Sequence, residues 1–194
     1  MTEEQSTLSD PAMMRALAHP ARLAILDHLL LNKEGTTATE CAEVVGLSPS
    51  ATSYHLRALA RTGMIEEAPS RGDGRERVWR RKQTSYSFST DLDTAPEEYA
   101  AQSAMAEAVM AHQNERVRRY LGAAREQGSE WYNAASLMDL TLAATAEELA
   151  DLLSKIKELV DPFNDRQKSG TAPPGSRAVT FQLRAVPLIS RDMK

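Results

Sequence analysis

The stretch GLSPSATSYHLRALARTGMIE, residues 46–66, decides how the N-terminal part of this chain folds. Gly46 predicts the end of one helix, because a residue without a Cβ adopts the left-handed conformation at little cost. Ser48 predicts the cap of the next helix, and Pro49 suits its first turn. The apolar stripe and the far end of that helix are indicated by Leu56, Leu59 and Gly63. The stretch therefore predicts a tight turn followed by a short amphipathic helix.

The first turns of this helix carry polar and aromatic side chains. We expect six consecutive positions before Leu56 to be exposed: Ser50, Ala51, Thr52, Ser53, Tyr54 and His55. Hydroxyl groups can reach phosphates or base edges, and Ala51 or the Thr52 methyl can contact a thymine methyl. Farther along, Arg57 and Arg61 are better placed for backbone phosphates. This surface favours DNA contact over a plain solvated helix face.

Three shorter helices are predicted before this stretch. Asp10 and Pro11 open AMMRALAHP, Pro20 opens ARLAILDHLLLN, and Thr37 caps ATECAEVVG after a loop at residues 32–35. A short helix, a turn of three to four residues and a polar helix form the helix-turn-helix pattern.

After Gly63, the segments MIEEAPS and RERVWRRK predict two strands. Asp73-Gly74 between them is a strong hairpin signal, because both residues tolerate positive φ. A hairpin directly after a recognition helix is a wing. Alternate positions of its second strand carry Arg75, Arg77, Trp79 and Arg81. Trp79 therefore either packs beneath the wing or lies beside the arginines.

The rest of the chain predicts a linker and a mixed α/β region. Residues 83–94 are rich in Ser and Thr, and YSFS within them suggests a short strand. An Ala-rich helix from Ala95 to about Gln127 would be roughly 45 Å long, too long for a small domain to bury alone. A strand in WYNAASLMDLTL, a helix opened by a capping box at Thr145, a loop at residues 163–177 and a strand in AVTFQLRAVPLI follow. The expected fold class is mainly α with α+β elements.

The overall composition indicates a soluble protein whose excess of basic side chains is confined to one stretch of the sequence. The chain has 194 residues and a net charge of −4, with 42% hydrophobic and 26% charged residues. Residues 48–82, however, carry eight basic and four acidic side chains, and local charge matters more than the total for meeting phosphate. No apolar run approaches the roughly 20 residues that span a bilayer, and the acidic N-terminus is unlike a signal peptide. We expect a cytoplasmic protein.

Metal binding and catalysis are poorly supported. Cys41 is the one cysteine, on an apolar face, and is expected to be a small buried residue. His112 and Glu115, with Glu107 nearby, are the other candidate metal ligands, and we expect them to lie on a solvated helix face. The histidines of the N-terminal part are expected to cap or pack: His19 and His28. We find no phosphate loop, nucleophile elbow or catalytic constellation, and predict no metal, no cofactor and no enzyme.

The segments LAHPARLAILDHLL, TATECAEVVGLSPSATSYHLRALARTGMIEE and GDGRERVWR resemble the bacterial ArsR-type winged-helix repressors. The resemblance covers residues 10–82, whereas residues 83–194 are similar only to larger winged-helix regulators with an appended region. It implies a homodimer on a near-palindromic operator in double-stranded DNA. By position, the implied DNA face comprises Ser48, Ser50, Ala51, Thr52, Ser53, Tyr54, His55 and Arg57. The implied wing contacts are Arg71, Arg75 and Arg77.

We therefore expect a DNA-binding transcription regulator, with repression the favoured mode. Residues 1–82 would bind DNA, residues 83–94 would form a linker, and residues 95–194 would dimerise, with sensing of a small-molecule effector as an alternative role. Trp131 and Tyr132 could line such a pocket, although core packing is the favoured interpretation. Two alternatives stay open: a winged helix used as a protein-interaction module without its own operator, and a metal-responsive repressor with ligands from both copies.

Overall fold

The computed structural model describes residues 10–70, 76–82 and 95–189, and it is mainly helical. Its helices are α1 (Pro11–Leu17), α2 (Pro20–Leu31), α3 (Ala38–Val45), α4 (Pro49–Arg61), α5 (Pro96–Ala123), α6 (Ser129–Ala134) and α7 (Ala146–Ser169), with a 3₁₀ turn at Ala124–Gln127. Its strands are β1 (Thr36–Thr37), β2 (Ile65–Ala68) and β3 (Val78–Arg81). The predicted hairpin tip and the linker with YSFS lie outside the described residues.

The helices of the N-terminal part begin where side chains can cap them. Asp10 Oδ1 accepts a hydrogen bond from the Ala12 amide at 2.8 Å, and His19 Nδ1 accepts one from Ala21 at 3.2 Å. Thr37 and Glu40 form a reciprocal capping box at the start of α3. Ser48 Oγ accepts from the Ala51 amide at 3.2 Å at the start of α4. The predicted caps of all four helices are confirmed.

The three strands form one antiparallel sheet in the order β1-β3-β2. Trp79 of β3 lies opposite Thr36 on one side and Glu67 on the other. The strands predicted after Gly63 are thus confirmed as β2 and β3. The sequence did not reveal β1, because two residues are too few to show a period of two.

A close backbone approach holds β1 beside β3. Gly35 has φ +86°, and a Cβ built on it would lie 2.7 Å from Val78 Cγ1 and 2.9 Å from the Trp79 carbonyl oxygen. Both the left-handed backbone and the lack of space require glycine here. Gly35 therefore allows the chain to approach β3 closely just before β1.

Replacing Gly35 by alanine should lower the free energy of unfolding by about 1–2 kcal/mol, because the new Cβ combines an unfavourable φ with a steric clash. Urea unfolding followed by circular dichroism measures the change. Gly122→Ala is the matched control, because a Cβ there meets nothing within 4 Å, and helix propensity should make it neutral or stabilising. Equal destabilisation by both substitutions would contradict the close approach.

One hydrophobic core unites the first four helices, the sheet and the N-terminal half of α5. Its fully buried members include Met14, Leu17, Ile25, Leu29, Cys41, Leu56, Leu59 and Met64. Met105 and Val109 of α5 belong to the same cluster and pack against α1 and α2. The N-terminal half of α5 therefore buries its apolar stripe within its own chain.

The C-terminal region differs from the prediction. Neither predicted strand is present, since residues 135–145 and 171–189 adopt no regular structure. Alternation indicates that one face of a strand is buried, but a strand also needs a backbone partner, which the described chain does not provide. The predicted loop at residues 163–177 is wrong in its first half, because α7 continues to Ser169 and ends at a left-handed Gly170.

Trp131 and Tyr132 do not pack in a core. They lie on α6, where Tyr132 is 53% exposed and Trp131 is half-buried beneath the Arg177 guanidinium, 4.9 Å from the ring centroid. The favoured interpretation of these aromatics as core residues is therefore wrong. In the ranges that the structure describes, no helix combines the length and apolar character needed to cross a membrane.

Candidate nucleic-acid interface

The turn between α3 and α4 presents one edge of α4 to solvent. Gly46 ends α3 with φ +67°, and Ser48 starts α4 two residues later. Four α4 side chains at helical spacing are exposed: Ser50, Tyr54, Arg57 and Arg61. Ala51 and Ser53 flank this line and are half-buried. The line spans about three turns of helix, a length suited to the major groove of DNA.

Two residues predicted to be exposed face the interior instead. Thr52 is fully buried and His55 is only 8% exposed, whereas Tyr54 between them is 54% exposed. Six consecutive helical positions cannot share one side, because successive side chains are about 100° apart. Thr52 and His55 stand one turn apart on the same side as Leu56 and Leu59. Their predicted exposure is wrong, and they belong to the side of α4 that packs against the rest of the domain.

His55 is enclosed by other basic groups. Its ring centroid lies 4.5 Å from that of His19 and 5.6 Å from that of Tyr54. Burial lowers the pKa of His55, and the neighbouring His19 and Arg22 lower it further. Neutral imidazole is thus favoured at this position, and His55 adds packing rather than positive charge to α4.

The positive end of the exposed line comes from Arg57 and Arg61. Arg61 Nε donates to the Arg57 carbonyl oxygen at 3.3 Å, and within the described ranges neither guanidinium forms an ion pair with a carboxylate. At the other end, the N-terminus of α4 offers the positive end of the helix dipole. Both ends of α4 can therefore attract phosphate.

In the described part of the wing, Trp79 is buried whereas Arg77 is exposed. Trp79 is 7% exposed and packs in the core beneath the sheet, which settles the choice left open by strand parity. Arg81 shares its side and donates to the Leu26 carbonyl oxygen at 3.1 Å. Arg77 is exposed and 3.9 Å from Glu67. Two predicted wing residues lie outside the described residues: Arg71 and Arg75.

A shallow open depression joins α4 to β3. It is lined by Arg57, Ala60, Arg61 and Trp79. The arginines of α4 and the second wing strand thus border one continuous surface. A duplex resting on α4 would meet the sheet on this side.

Of the candidate metal ligands, Cys41 and His112 make structural contacts, whereas Glu107 and Glu115 are exposed, as predicted. Cys41 is fully buried in the core, as predicted. Burial raises the pKa of its thiol to about 11, and the neighbouring Glu40 carboxylate raises it as well, although a hydrogen bond with Thr36 lowers it. Among the described residues, no group of three or more His, Cys, Asp and Glu side chains could hold a metal ion.

Cys41 should react very slowly with a thiol-specific disulfide reagent at pH 8, because only the thiolate is nucleophilic and this thiol is buried and protonated. In urea the reaction should become at least about 100-fold faster. Absorbance of the released reagent gives both rates, and a synthetic peptide of residues 38–45 provides the unhindered reference. Equal rates for folded protein and peptide would contradict the buried thiol.

His112 is not on a solvated face, contrary to the prediction. Its Nε2 bonds Asp27 Oδ2 at 2.8 Å, and Arg116 Nε bonds the same oxygen at 2.7 Å, while a second Arg116 nitrogen bonds Oδ1. All three side chains are less than one third exposed. Burial raises the pKa of Asp27, but hydrogen bonds and charge from His112 and Arg116 lower it below its ordinary value. This Asp27 cluster ties α2 to α5.

Sequence reasoning missed the Asp27 cluster, although part of its signal was present. His112 and Arg116 are four residues apart and therefore share one helix face. Their partner lies 85 residues away from His112 on α2, a separation that no local pattern reveals. His19 caps α2 as expected, whereas His28 Nε2 forms a hydrogen bond with Thr36 Oγ1 at 3.2 Å.

Residues 17–68 match the family described as a helix-turn-helix domain. Over 55 residues, 28% of this chain, the sequence is 44% identical to the HTH-type transcriptional regulator YgaV of Escherichia coli (strain K12), and the match spans about half, 54%, of that relative. The helix-turn-helix prediction is thus confirmed for this part of the chain.

Two solved structures show remote likeness. The zinc-responsive MarR family member ZitR of Lactococcus lactis is 16% identical, with 81% of this chain and 82% of that chain covered and a TM-score of 0.33. The PcaV transcriptional regulator of Streptomyces coelicolor is 16% identical, with 83% and 79% covered and a TM-score of 0.28. Likenesses this remote say nothing about what this chain binds.

Proposed function

We propose that this protein is a sequence-specific DNA-binding transcription regulator of the ArsR type, which represses as a homodimer on a near-palindromic operator. The observation that carries the proposal is the exposed line of α4, where two hydrogen-bonding side chains are followed by Arg57 and Arg61. An aromatic side chain and two guanidinium groups, which have no carboxylate partner among the described residues, suit a surface that meets nucleic acid.

Side chains at different positions of α4 and the wing contact different parts of the DNA. The N-terminal turns of α4 enter the major groove, where Ser50 and Tyr54 contact base edges and the half-buried Ala51 and Ser53 lie at the margin. Ser48 and the α4 N-terminus meet one phosphate strand, and Arg57 and Arg61 meet the other. The wing arginines reach the flanking DNA: Arg71, Arg75 and Arg77. Thr52 and His55 act indirectly, by holding α4 in place.

The remaining chain supports this arrangement. Residues 1–82 bind DNA, residues 83–94 connect, and residues 95–194 bring two copies together, with α5 also completing the core of the DNA-binding part. A small-molecule effector would act by changing the spacing of the two α4 helices, since half-sites lie about 34–36 Å apart.

A selection from random duplexes with the full-length protein tests this function, and it should enrich one inverted repeat. Tyr54→Ala should then weaken binding to the enriched site about tenfold while changing affinity for random DNA less than about threefold. Tyr99→Ala is the matched control, because Tyr99 is 57% exposed on α5, much like Tyr54 at 54%. Failure to bind any duplex would favour a protein-interaction module instead.

A further inference from the structure

Residues 178–185 lie along α5, and their polar side chains face that helix. Gln182 Nε2 donates to the Gln113 carbonyl oxygen at 3.4 Å, and Arg184 donates to Gln113 Oε1 at 2.9 Å and to Asn114 Oδ1 at 3.3 Å. Thr180 Oγ1 accepts from Arg116 at 3.5 Å. Alternate side chains of an extended chain point to opposite sides. The three polar residues therefore fix which side of this segment faces away from α5.

That outward side is apolar. Val179 is 70% exposed, Phe181 is 64% exposed and Leu183 is 49% exposed. A strand that completed a monomeric core would have the opposite arrangement, with these side chains inward and the polar ones in water. Within the described residues, the backbone of this segment makes no hydrogen bond to another segment. In the described part of the chain, this backbone therefore has no hydrogen-bonding partner, and the apolar side of the segment is largely exposed.

Residues 136–142 share these properties. Four large apolar side chains are 62–75% exposed in this short stretch: Leu137, Met138, Leu140 and Leu142. Its backbone likewise bonds to no other segment among the described residues. The two stretches whose alternation predicts strands thus have no backbone partner among the residues that the structure describes.

The helix between them carries an apolar stripe that is covered along one edge only. Leu149, Leu153, Ile156 and Val160 are half-buried, whereas Leu152, Leu159 and Phe163 are exposed. α7 is capped at both ends and carries i, i+4 ion pairs between Lys155 and Asp151 and between Lys157 and Asp161, yet none of its residues is buried. No other described helix or strand packs along it to more than a marginal extent. Its stripe follows a heptad-like spacing that is typical of helix packing: Leu149, Leu152, Leu153, Ile156, Leu159, Val160 and Phe163.

The exposed apolar area has the size of an interface. Thirteen large apolar side chains between residues 137 and 189 are exposed. At roughly 60–120 Å² for a whole side chain, their exposed fractions add to on the order of 800 Å². Each partner of a stable interface buries about that much.

We propose that residues 136–189 form a β-α-β layer with the same residues of a second copy, so that strands in each chain pair across the two-fold axis and the α7 stripes pack together. A second copy fits because it supplies the same two unpaired backbones and the same stripe, as an isologous interface requires. Residues 135–189 carry seven acidic and six basic side chains, so charge does not oppose self-association. This inference rests on the homodimer of the proposed function and assigns its interface.

Sedimentation of the full-length chain at about 10 μM tests the assignment. The wild type should be dimeric, and Leu159→Asp should raise the dimer dissociation constant at least about 100-fold, as expected for a charge placed at the centre of an apolar interface. Ser154→Asp is the matched control, because Ser154 is exposed on the opposite side of the same helix, and it should leave the dimer intact.

Amide hydrogen exchange on the same samples reports the strand pairing. Residues 137–142 and 178–186 should exchange slowly in the wild type and in Ser154→Asp, and fast in the Leu159→Asp monomer, while α2 and α4 stay protected. A monomeric wild type would overturn the proposal, and so would a dimer that survives Leu159→Asp. Slow exchange in a monomer would show that the segments pair within one chain, which also overturns it.

DNA binding separates this proposal from the proposed function. The Leu159→Asp monomer should retain affinity for random duplex DNA within about threefold, because α4 and the wing are unchanged, while losing the cooperative affinity for an inverted repeat. If the wild type binds no DNA but Leu159→Asp still dissociates it, the interface stands and the regulatory function fails. If DNA binding is normal and association is insensitive to Leu159→Asp, the regulatory function stands and the proposed interface fails.

Discussion

Removing both arginines from the exposed line of α4 should weaken binding to duplex DNA roughly 100-fold near 0.1 M salt, for specific and random sequences alike. Arg57 and Arg61 are exposed and without a carboxylate partner among the described residues, so phosphate can reach both guanidinium groups. Each lost phosphate contact should also reduce the slope of log affinity against log salt by about 0.9. The double alanine variant should therefore show a slope about two units shallower.

Salt titration followed by fluorescence anisotropy measures both the affinity and the slope. Arg118→Ala combined with Arg119→Ala is the control, because it removes the same charge from an exposed surface of α5. If only the net charge of the chain mattered, the two double variants would weaken DNA binding equally. Parallel salt plots for wild type and the α4 variant would exclude these arginines as phosphate contacts.

Replacing Asp27 by asparagine should lower the free energy of unfolding at pH 7 by about 2–4 kcal/mol. The carboxylate accepts hydrogen bonds from both His112 and Arg116, and removing its charge leaves a largely buried guanidinium without a counter-charge. Urea unfolding measures the loss. Asp151→Asn is the control, because the Asp151–Lys155 pair is more than half exposed and should contribute less than about 1 kcal/mol.

Lowering the pH should remove the stabilisation that the Asp27 carboxylate provides. The folded-state pKa of Asp27 is below the ordinary value of 3.8, so its contribution is complete above pH 3.8 and is lost as the pH falls through the folded pKa. The stability difference between wild type and Asp27→Asn should therefore be present at pH 5 and shrink below about pH 4. A difference that stays the same at pH 3 would mean that the Asp27 charge is not what stabilises the contact between α2 and α5.

The Asp27 cluster matters beyond stability because it connects the DNA-binding helices to the long helix. Asp27 stands on α2, which packs against α3 and α4, and its two partners stand on α5. Residues 178–185 lie on the same part of α5, where Arg116 also bonds Thr180. Under the proposed assembly, α5 would be the rigid element between the dimer interface and the pair of α4 helices.

Local features of the N-terminal part followed from the sequence alone. Capping side chains, prolines in first turns and glycines at helix ends act within a few residues, so Thr37, Ser48 and Gly46 marked α3 and α4 without knowledge of the fold. The helix-turn-helix order and the two strands after it followed for the same reason. The division of charge that singles out residues 48–82 is likewise a property of the sequence itself.

Tertiary structure decided which side of each element is covered. Thr52 and His55 turned inward because α4 packs on α2 and α1, and His112 found Asp27 because α5 folds back over α2. The alternation in residues 178–185 correctly marks one apolar side, whereas residues 136–142 are exposed throughout. Strand formation in both depends on a backbone partner that the pattern does not identify. Periodicity is set by neighbouring residues, whereas burial and pairing depend on segments far away in the chain or in another chain.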